Sequence, residues 1–505
     1  MKLLLLAFLA GLAGATGFQP LGLWPVTLAA FAMLLWLIDT APRLRSALAR
    51  GWWFAVGHFV LGLNWIATAF TYQAAMPAWL GWVAVVLLSL YLAVYPAAAA
   101  GLAWRWGRGD PLRLSLVFAA AWIVTEWLRA TMFTGFAWNP AGVALLDAGG
   151  IAGLAKLIGT YGLSGVAMLA AGALFLLARR RWKSGAALAA PIILAALALW
   201  PMKATDPAPL RTAIRLVQPN ISQTDKWRPG FDQEVLRRLG RLSNAGQNEP
   251  RLLLWPEVAV TEPLQDARRH PIAQEDAAWT REQVQRMLGP RDLLLTGGLA
   301  INSSDGIDAS GATNSVFAMD ASGRIVARYD KAHLVPYGEY LPMRPLLSAI
   351  GLSRLAPGNL DTDPGPGPRT LELPIVGKVG FQLCYEIIFS GEVVDRKNRP
   401  NFLFNPSNDA WFGEWGPPQH LAQARLRGLE EGLPVLRATP TGITAVIDAD
   451  GRLIASLPRH RAAYLDARLP APNPETLFAR FGNLLPFLFA LALAALAIAL
   501  RRKAR

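Results

Sequence analysis

The chain has 505 residues, 53% hydrophobic and only 17% charged, against about 25% charged in an average soluble protein, so its apolar content exceeds what one water-soluble core needs. The formal net charge of +14 is unevenly placed: residues 1–204 carry 14 Lys/Arg against 4 Asp/Glu, whereas residues 205–500 carry 31 of each. Basicity confined to the apolar ends is a membrane-orientation pattern and argues against a nucleic-acid-binding face. The single cysteine, Cys384, excludes an intrachain disulfide, a CxxC redox pair and a multi-cysteine zinc site.

A membrane-spanning helix needs about 20 mostly apolar residues. Eight segments approach that, near 3–17, 21–38, 52–70, 78–103, 114–131, 157–178, 185–201 and 482–500. Their flanking charges alternate. Lys2, Arg43, Arg45, Arg50, Arg105, Arg108, Arg113, Arg179, Arg180, Arg181, Lys183, Arg501, Arg502, Lys503 and Arg505 fall on one side, and only Arg129, Lys156, Lys203 and Arg480 on the other. The positive-inside rule predicts cytoplasmic termini and an outward-facing region between the seventh and eighth spans. Residues 1–17 read equally as a first span or a cleaved signal peptide, and either choice leaves the large domain on the same side. Residues 132–156 are apolar but interrupted by Gly, Pro, Asn and Asp, which predicts a re-entrant or interfacial loop on the outer side. Within the spans, Glu126 and Arg129 are the main charges, too few for an ion pathway.

The expected organisation is a membrane domain over 1–204 with seven transmembrane helices, an outward domain over 205–475, and an eighth transmembrane helix with a basic cytoplasmic tail over 480–505. In the outward domain, strand patterns TAIRLVQ, RLLLWPE, DLLLTGGLAI, SVFAMD, RIVARYD, KVGFQLCYE, NFLFNPS, PVLRAT, TAVID and RLIASL alternate with helical patterns at 231–243, 275–288 and 418–432. That alternation predicts one α/β domain. The tract DTDPGPGP at 361–368 reads as turns.

Glu257, Lys331 and Cys384 each end or follow a strand pattern, where α/β folds place chemistry. Singly they have plain readings: a turn glutamate, a solvated lysine, a buried small hydrophobe. Their surroundings carry more. WPE at 255–257, YDKAHLVPYGEYLP at 329–342, LCYEIIFS at 383–390 and NPSNDAWFG at 405–413 resemble the nitrilase (carbon–nitrogen hydrolase) superfamily. Together with the eight spans they resemble the apolipoprotein N-acyltransferases, bacterial inner-membrane enzymes that complete lipoprotein maturation.

The resemblance implies an αββα sandwich on a multi-span helical membrane domain, with catalytic Glu257, Lys331 and Cys384. It implies a phospholipid acyl donor and, as acceptor, the α-amino group of a diacylglyceryl-cysteine on an apolipoprotein, both met at the bilayer. A Cys384 thioester suits such a transfer, because one hard step becomes two easier ones. Glu257 is the expected proton acceptor, and Lys331 with the backbone N–H of Tyr385 the expected oxyanion donors.

The family motifs add Glu339, Glu386, Tyr385, Trp227 and Asn314. Glu339 either orients the Lys331 ammonium or lies in a solvent-facing turn after Pro336. Strand alternation predicts Glu386 on the face of Cys384. Trp227 in QTDKWRPG reads as a substrate contact or as an interfacial aromatic. A Cys–His dyad using His333 is the competing arrangement. Loops 334–352 and 411–418 are expected lids that admit lipid and exclude water. A membrane-tethered amidase releasing acid to water is the alternative enzyme, and an inert lipid-binding domain the alternative from another class. No phosphate loop, metal-ligand cluster or dinucleotide fingerprint appears, so no cofactor or metal is implied.

Overall fold

A computed structural model describes residues 1–72, 76–199, 210–244, 250–355 and 361–503. The expected boundary at 204/205 and the orientation charges Lys203 and Arg505 lie outside the described residues. Each of the eight apolar segments is helical: Lys2–Ala15, Trp24–Asp39, Leu44–Gly62, Leu80–Gly107, Pro111–Thr131, Ala155–Ala178, Trp182–Ala198 and Leu484–Lys503. Among the described residues, four helices are long and apolar enough to cross a membrane. Leu44–Gly62 becomes a fifth when joined across a 50° bend to Ile66–Tyr72. Lys2–Ala15, Trp24–Asp39 and Trp182–Ala198 are apolar but shorter, at 14, 16 and 17 residues. The first packs backbone to backbone on Leu44–Gly62: a Cβ on Gly11 would meet the Phe54 carbonyl oxygen at 1.8 Å, a close approach that a small residue permits.

Residues 132–154 do not continue the helices. They form short 3₁₀ turns at Ala141–Leu145 and Gly149–Leu154, largely buried. The charges of the preceding helix hold them: Glu126 Oε1 accepts the Ala141 N–H at 2.8 Å, and Arg129 Nη1 donates to the Trp138 carbonyl at 2.9 Å. Ser164 Oγ accepts the Gly142 N–H at 2.8 Å. Irregular backbone at membrane depth needs such partners, which gives Glu126 and Arg129 a structural employment.

The remainder is a two-sheet sandwich. β1 (Ala213–Gln218), β2 (Arg251–Leu254), β3 (Gln265–Asp266), β4 (Asp292–Asn302), β5 (Gly311–Asp320) and β6 (Ile325–Asp330) build the first sheet. β7 (Thr370–Leu373), β8 (Gly377–Phe381), β9 (Phe402–Pro406), β10 (Val435–Ala438), β11 (Ala445–Ile447) and β12 (Leu453–Ser456) build the second, in the order β12-β11-β10-β9-β8-β7. β13 (Ala463–Arg468) returns to the first, whose order is β13-β1-β2-β4-β5-β6 with β3 paired to β4. Parallel pairs β1–β2, β2–β4, β8–β9 and β9–β10 lie at the centres and antiparallel pairs outside them.

Strand alternation sorts the side chains. Leu252, Leu254, Leu293, Leu295, Val316 and Ala318 face Val379, Phe381, Phe402, Phe404 and Leu436 between the sheets. Leu253, Leu294, Phe317 and Met319 face outward onto helices Asp232–Ser243 and Pro271–Gln285 through Val235, Leu239 and Val284. On the other side, helix Gly416–Glu431 covers the second sheet, and its buried residues belong to the same apolar cluster as the membrane-type helices. The fold is therefore an αββα sandwich whose fourth layer is fused to the helical part. The sequence patterns missed β3, β7 and β13, which are short or carry charge at an edge.

Candidate active site

Three turns converge at the same end of the two sheets. After β2 the chain turns through Trp255, Pro256 and Glu257, and Gly297 of β4 backs that turn: a Cβ there would lie 2.4 Å from the Val258 nitrogen and 2.6 Å from the Glu257 Cα. After β6, Lys331 is fixed by its N–H to the Asn314 carbonyl at 2.9 Å, and its own carbonyl accepts the Gly365 N–H of the 361–368 tract at 2.7 Å. After β8, Cys384 opens a 3₁₀ turn, Cys384–Ile388, in a left-handed conformation with φ +47°.

Their polar atoms meet. Lys331 Nζ lies 3.2 Å from Glu257 Oε1 and 3.0 Å from Glu339 Oε2. Asn314 Nδ2 donates to Glu257 Oε1 at 2.8 Å and to Glu339 Oε1 at 3.0 Å, so one cation and one amide are shared by two carboxylates. Glu339 also accepts the Val335 N–H at 2.9 Å, so its half-buried carboxylate is turned onto Lys331 and Asn314. Lys331 is 2% exposed, Cys384 4% and Glu257 5%.

Burial pushes these groups toward neutrality, and their neighbours decide the outcome. For Glu257, Lys331, Asn314 and Lys226 outweigh burial and hold the carboxyl below its ordinary range. Burial would lower the Lys331 ammonium, but Glu257 and Glu339 raise it. Burial and then the charge of Glu257 raise the Cys384 thiol well above its usual value, against the pull of Lys331 and of the Asn408 N–H. The resting arrangement is a thiol beside an ionised carboxylate and a permanent cation. Such a set offers a base for the thiol proton and a positive charge for the oxygen of an attacked carbonyl.

Glu386 departs from the strand-based expectation. The chain leaves β8 at Phe381, and the left-handed turn at Cys384 sends the Glu386 side chain backward. There it accepts the N–H groups of Leu383 at 2.7 Å, Ala332 at 2.7 Å and His333 at 3.0 Å, and the Tyr329 hydroxyl at 3.1 Å. It ties the nucleophile turn to the Lys331 turn. Burial, opposed by those N–H groups, raises its carboxyl to about 7.

Tyr385 is buried, and its hydroxyl donates to the Gly135 carbonyl at 3.3 Å. His333 stacks on Phe389 at 3.9 Å with Nε2 3.1 Å from the Thr134 carbonyl. Its polar partner is thus the 132–136 segment, which leaves the dyad reading without geometric support. Trp227 is 39% exposed and neighbours Lys226, whose buried ammonium donates to the Glu257 carbonyl at 3.2 Å. Burial lowers Lys226 to about 8, with Glu257 opposing. In QTDKWRPG nothing distinguishes Lys226 from a solvated lysine beside Trp227, and only the fold brings it to Glu257.

The two expected lids differ. Tyr337, Met343, Leu346 and Ile350 expose apolar surface on the 334–352 loop, which also carries Glu339. Residues 411–418 are not a free flap: Phe412 is buried, 4.9 Å from Trp65 and 5.2 Å from Trp138 by ring centroids. Among the described residues, no group of three or more His, Cys, Asp or Glu side chains is placed to hold a metal ion.

Comparison with known proteins bears on both parts of the chain. Residues 10–173 match the apolipoprotein N-acyltransferase N-terminal domain and residues 213–472 the carbon-nitrogen hydrolase family. The apolipoprotein N-acyltransferase of Rhodopseudomonas palustris is 36% identical, covering 99% of this chain and 96% of that protein. Those of Bradyrhizobium diazoefficiens, covering 100% and 96%, and Caulobacter vibrioides, covering 95% and 91%, are also 36% identical.

Proposed function

Because this chain belongs to the apolipoprotein N-acyltransferase family, with a carbon-nitrogen hydrolase domain, we propose that it is an N-acyltransferase of lipoprotein maturation. It transfers a fatty acyl chain from a membrane phospholipid, through a Cys384 thioester, to the α-amino group of an N-terminal diacylglyceryl-cysteine. The observation that carries this reading is the buried cluster of Glu257, Lys331 and Cys384, whose nucleophile turn packs on the 132–136 segment at the end of an apolar helix.

In the first step the Cys384 thiol gives its proton to Glu257 as sulfur bonds to the ester carbonyl carbon. Lys331 and the Tyr385 N–H hold the oxyanion, an arrangement in which one donor is worth about 10²–10³ in rate. The tetrahedral intermediate collapses to the thioester, and Glu257 returns the proton to the departing lysophospholipid oxygen. In the second step the acceptor amine, with an ordinary pKa near 7.7–8, attacks the thioester carbon. Glu257 takes the amine proton and passes it to the sulfur as the C–S bond breaks, restoring the Cys384 thiol and the Glu257 carboxylate. Asn314 and Glu339 keep Glu257 and Lys331 in place, Glu386 keeps the turn in place, and Trp227 touches substrate at the rim.

The orientation charges support a bacterial inner-membrane protein with both termini cytoplasmic, residues 1–204 and 480–505 in or beside the bilayer, and residues 205–475 periplasmic. Excluding water protects the thioester from hydrolysis, and the apolar 334–352 loop suits that task. The test uses vesicles with phospholipid labelled in the acyl chain and a diacylglyceryl-cysteine peptide. An N-acylated peptide is the expected product. Labelled free fatty acid in its place makes the protein a membrane-tethered hydrolase.

A further inference from the structure

A buried His–Asp–Arg cluster contacts the backbone of Cys384, and the catalytic scheme above leaves it unused. His420, on helix Gly416–Glu431, places Nε2 3.0 Å from the Cys384 carbonyl oxygen and Nδ1 3.1 Å from Asp409 Oδ1. Arg437, on β10, donates through Nη2 to both Asp409 oxygens at 2.6 Å and faces His420 Nδ1 at 3.1 Å. All three side chains are fully buried.

A carbonyl oxygen only accepts, so Nε2 carries a hydrogen. Burial and then the Arg437 charge lower the His420 pKa and favour the neutral ring, whose Nδ1 lone pair then takes an Arg437 N–H. Arg437 thereby fixes the tautomer that donates to Cys384. Its other nitrogen, Nη1, donates to Asn405 Oδ1 at 2.5 Å and Ser407 Oγ at 3.0 Å. Asn405 Nδ2 in turn donates to the Gln382 carbonyl at 2.5 Å. One guanidinium therefore organises the chain on both sides of the thiol, including the 405–409 turn that presents the Asn408 N–H to sulfur.

Cys384 needs such a hold. A residue with a side chain at φ +47° sits in a sparsely populated region that persists only where its surroundings over-determine it. We propose that His420, with its tautomer set by Arg437, is a positioning residue that anchors the Cys384 carbonyl and so aims the sulfur at the acyl carbon. His420 touches no reacting atom. The inference rests on Cys384 being the nucleophile.

The test measures acylation of Cys384 in a single turnover, with full-length protein in phospholipid vesicles. His420→Phe keeps a ring against Trp138 and Phe412, 5.3 Å from each by centroid, but removes the donor. It should slow acylation at least ~10-fold with KM for phospholipid unchanged. His420→Gln, whose amide reaches the Nε2 position, should recover most of the rate. His420→Asn, whose amide aligns with Nδ1, should not, and this pair decides the matter should the Phe variant fail to fold. Wild-type acylation by a folded His420→Phe, or equal rates for Gln and Asn, overturns the positioning role. Cys384→Ala separates the two levels: transfer that survives it refutes the nucleophile itself, whereas an inactive Cys384→Ala beside a fully active His420→Phe refutes only the anchor.

Discussion

Lys331→Met is the substitution whose consequences the geometry specifies most fully. It keeps the length of the side chain and removes the cation that lies 3.2 Å from Glu257 and 3.0 Å from Glu339. At 3.2 Å and an effective dielectric constant of about 20, the lost attraction on Glu257 is about 5 kcal/mol, or roughly 4 pKa units before the surroundings relax. Glu257 now lies below the ordinary carboxylate range because Lys331, Asn314 and Lys226 outweigh burial. Losing the first of these lets burial prevail, so the carboxyl becomes protonated at neutral pH and can no longer accept the thiol proton. Loss of an oxyanion donor removes about 10²–10³ more. The assay is infrared spectroscopy of the membrane-embedded protein at pH 7 for a protonated-carboxyl band, with the Lys331→Met/Glu257→Gln double variant as control, together with the rate of Cys384 acylation. If Lys331→Met keeps Glu257 ionised and acylates within tenfold of wild type, the charge-coupled account of the site is wrong.

Asn314→Ala removes one donor from each carboxylate. At about 1.5–3 kcal/mol for a bond to a charged group, it should raise the Glu257 pKa by roughly 1–2 units and move the acid limb of kcat/KM upward by the same interval. Glu386→Ala orphans three backbone N–H groups and the Tyr329 hydroxyl, and should cost several kcal/mol at about 1–3 per orphaned group, read by thermal unfolding in detergent. Because the folded Glu386 pKa is raised to about 7, its contribution favours the fold most below the ordinary carboxylate range and declines as pH rises toward 7. Glu386→Gln should flatten that part of the stability profile. At the seam, Glu430 accepts from Thr160 at 2.5 and 2.6 Å and from Ser390 at 2.7 Å, and pairs with Arg427 at 2.7 Å. Glu430→Ala leaves Arg427 as an unpaired buried charge and should cost about 3–5 kcal/mol, again read by thermal unfolding.

Much of this was visible in the chain itself. Apolar runs and their charged flanks marked the eight helices, and Glu257, Lys331 and Cys384 each announced themselves at a strand end. Motif context points to Glu339 as a partner of Lys331 and to Asn314 only as a site residue without an assigned partner; in the structure Asn314 donates to both Glu257 and Glu339. What the chain concealed is three-dimensional. Strand alternation does not apply to Glu386, because the strand stops at Phe381 and a 3₁₀ turn opened by a left-handed Cys384 follows, a conformation a cysteine does not advertise. Asp409, His420 and Arg437 come from three separate elements, so no spacing unites them. Residues 411–418 read as a flap because they are rich in Gly, Pro and Trp, yet Phe412 has partners in Trp65 and Trp138, which lie hundreds of positions away.

The covalent intermediate is the claim on which the rest depends. Intact-mass and peptide mass spectrometry of the full-length protein, incubated with phospholipid vesicles and no acceptor, tests it directly. The account predicts a mass gain of one acyl chain, confined to the peptide bearing Cys384 and discharged on adding a diacylglyceryl-cysteine peptide. An unmodified Cys384 in protein that nonetheless acylates the acceptor would contradict it.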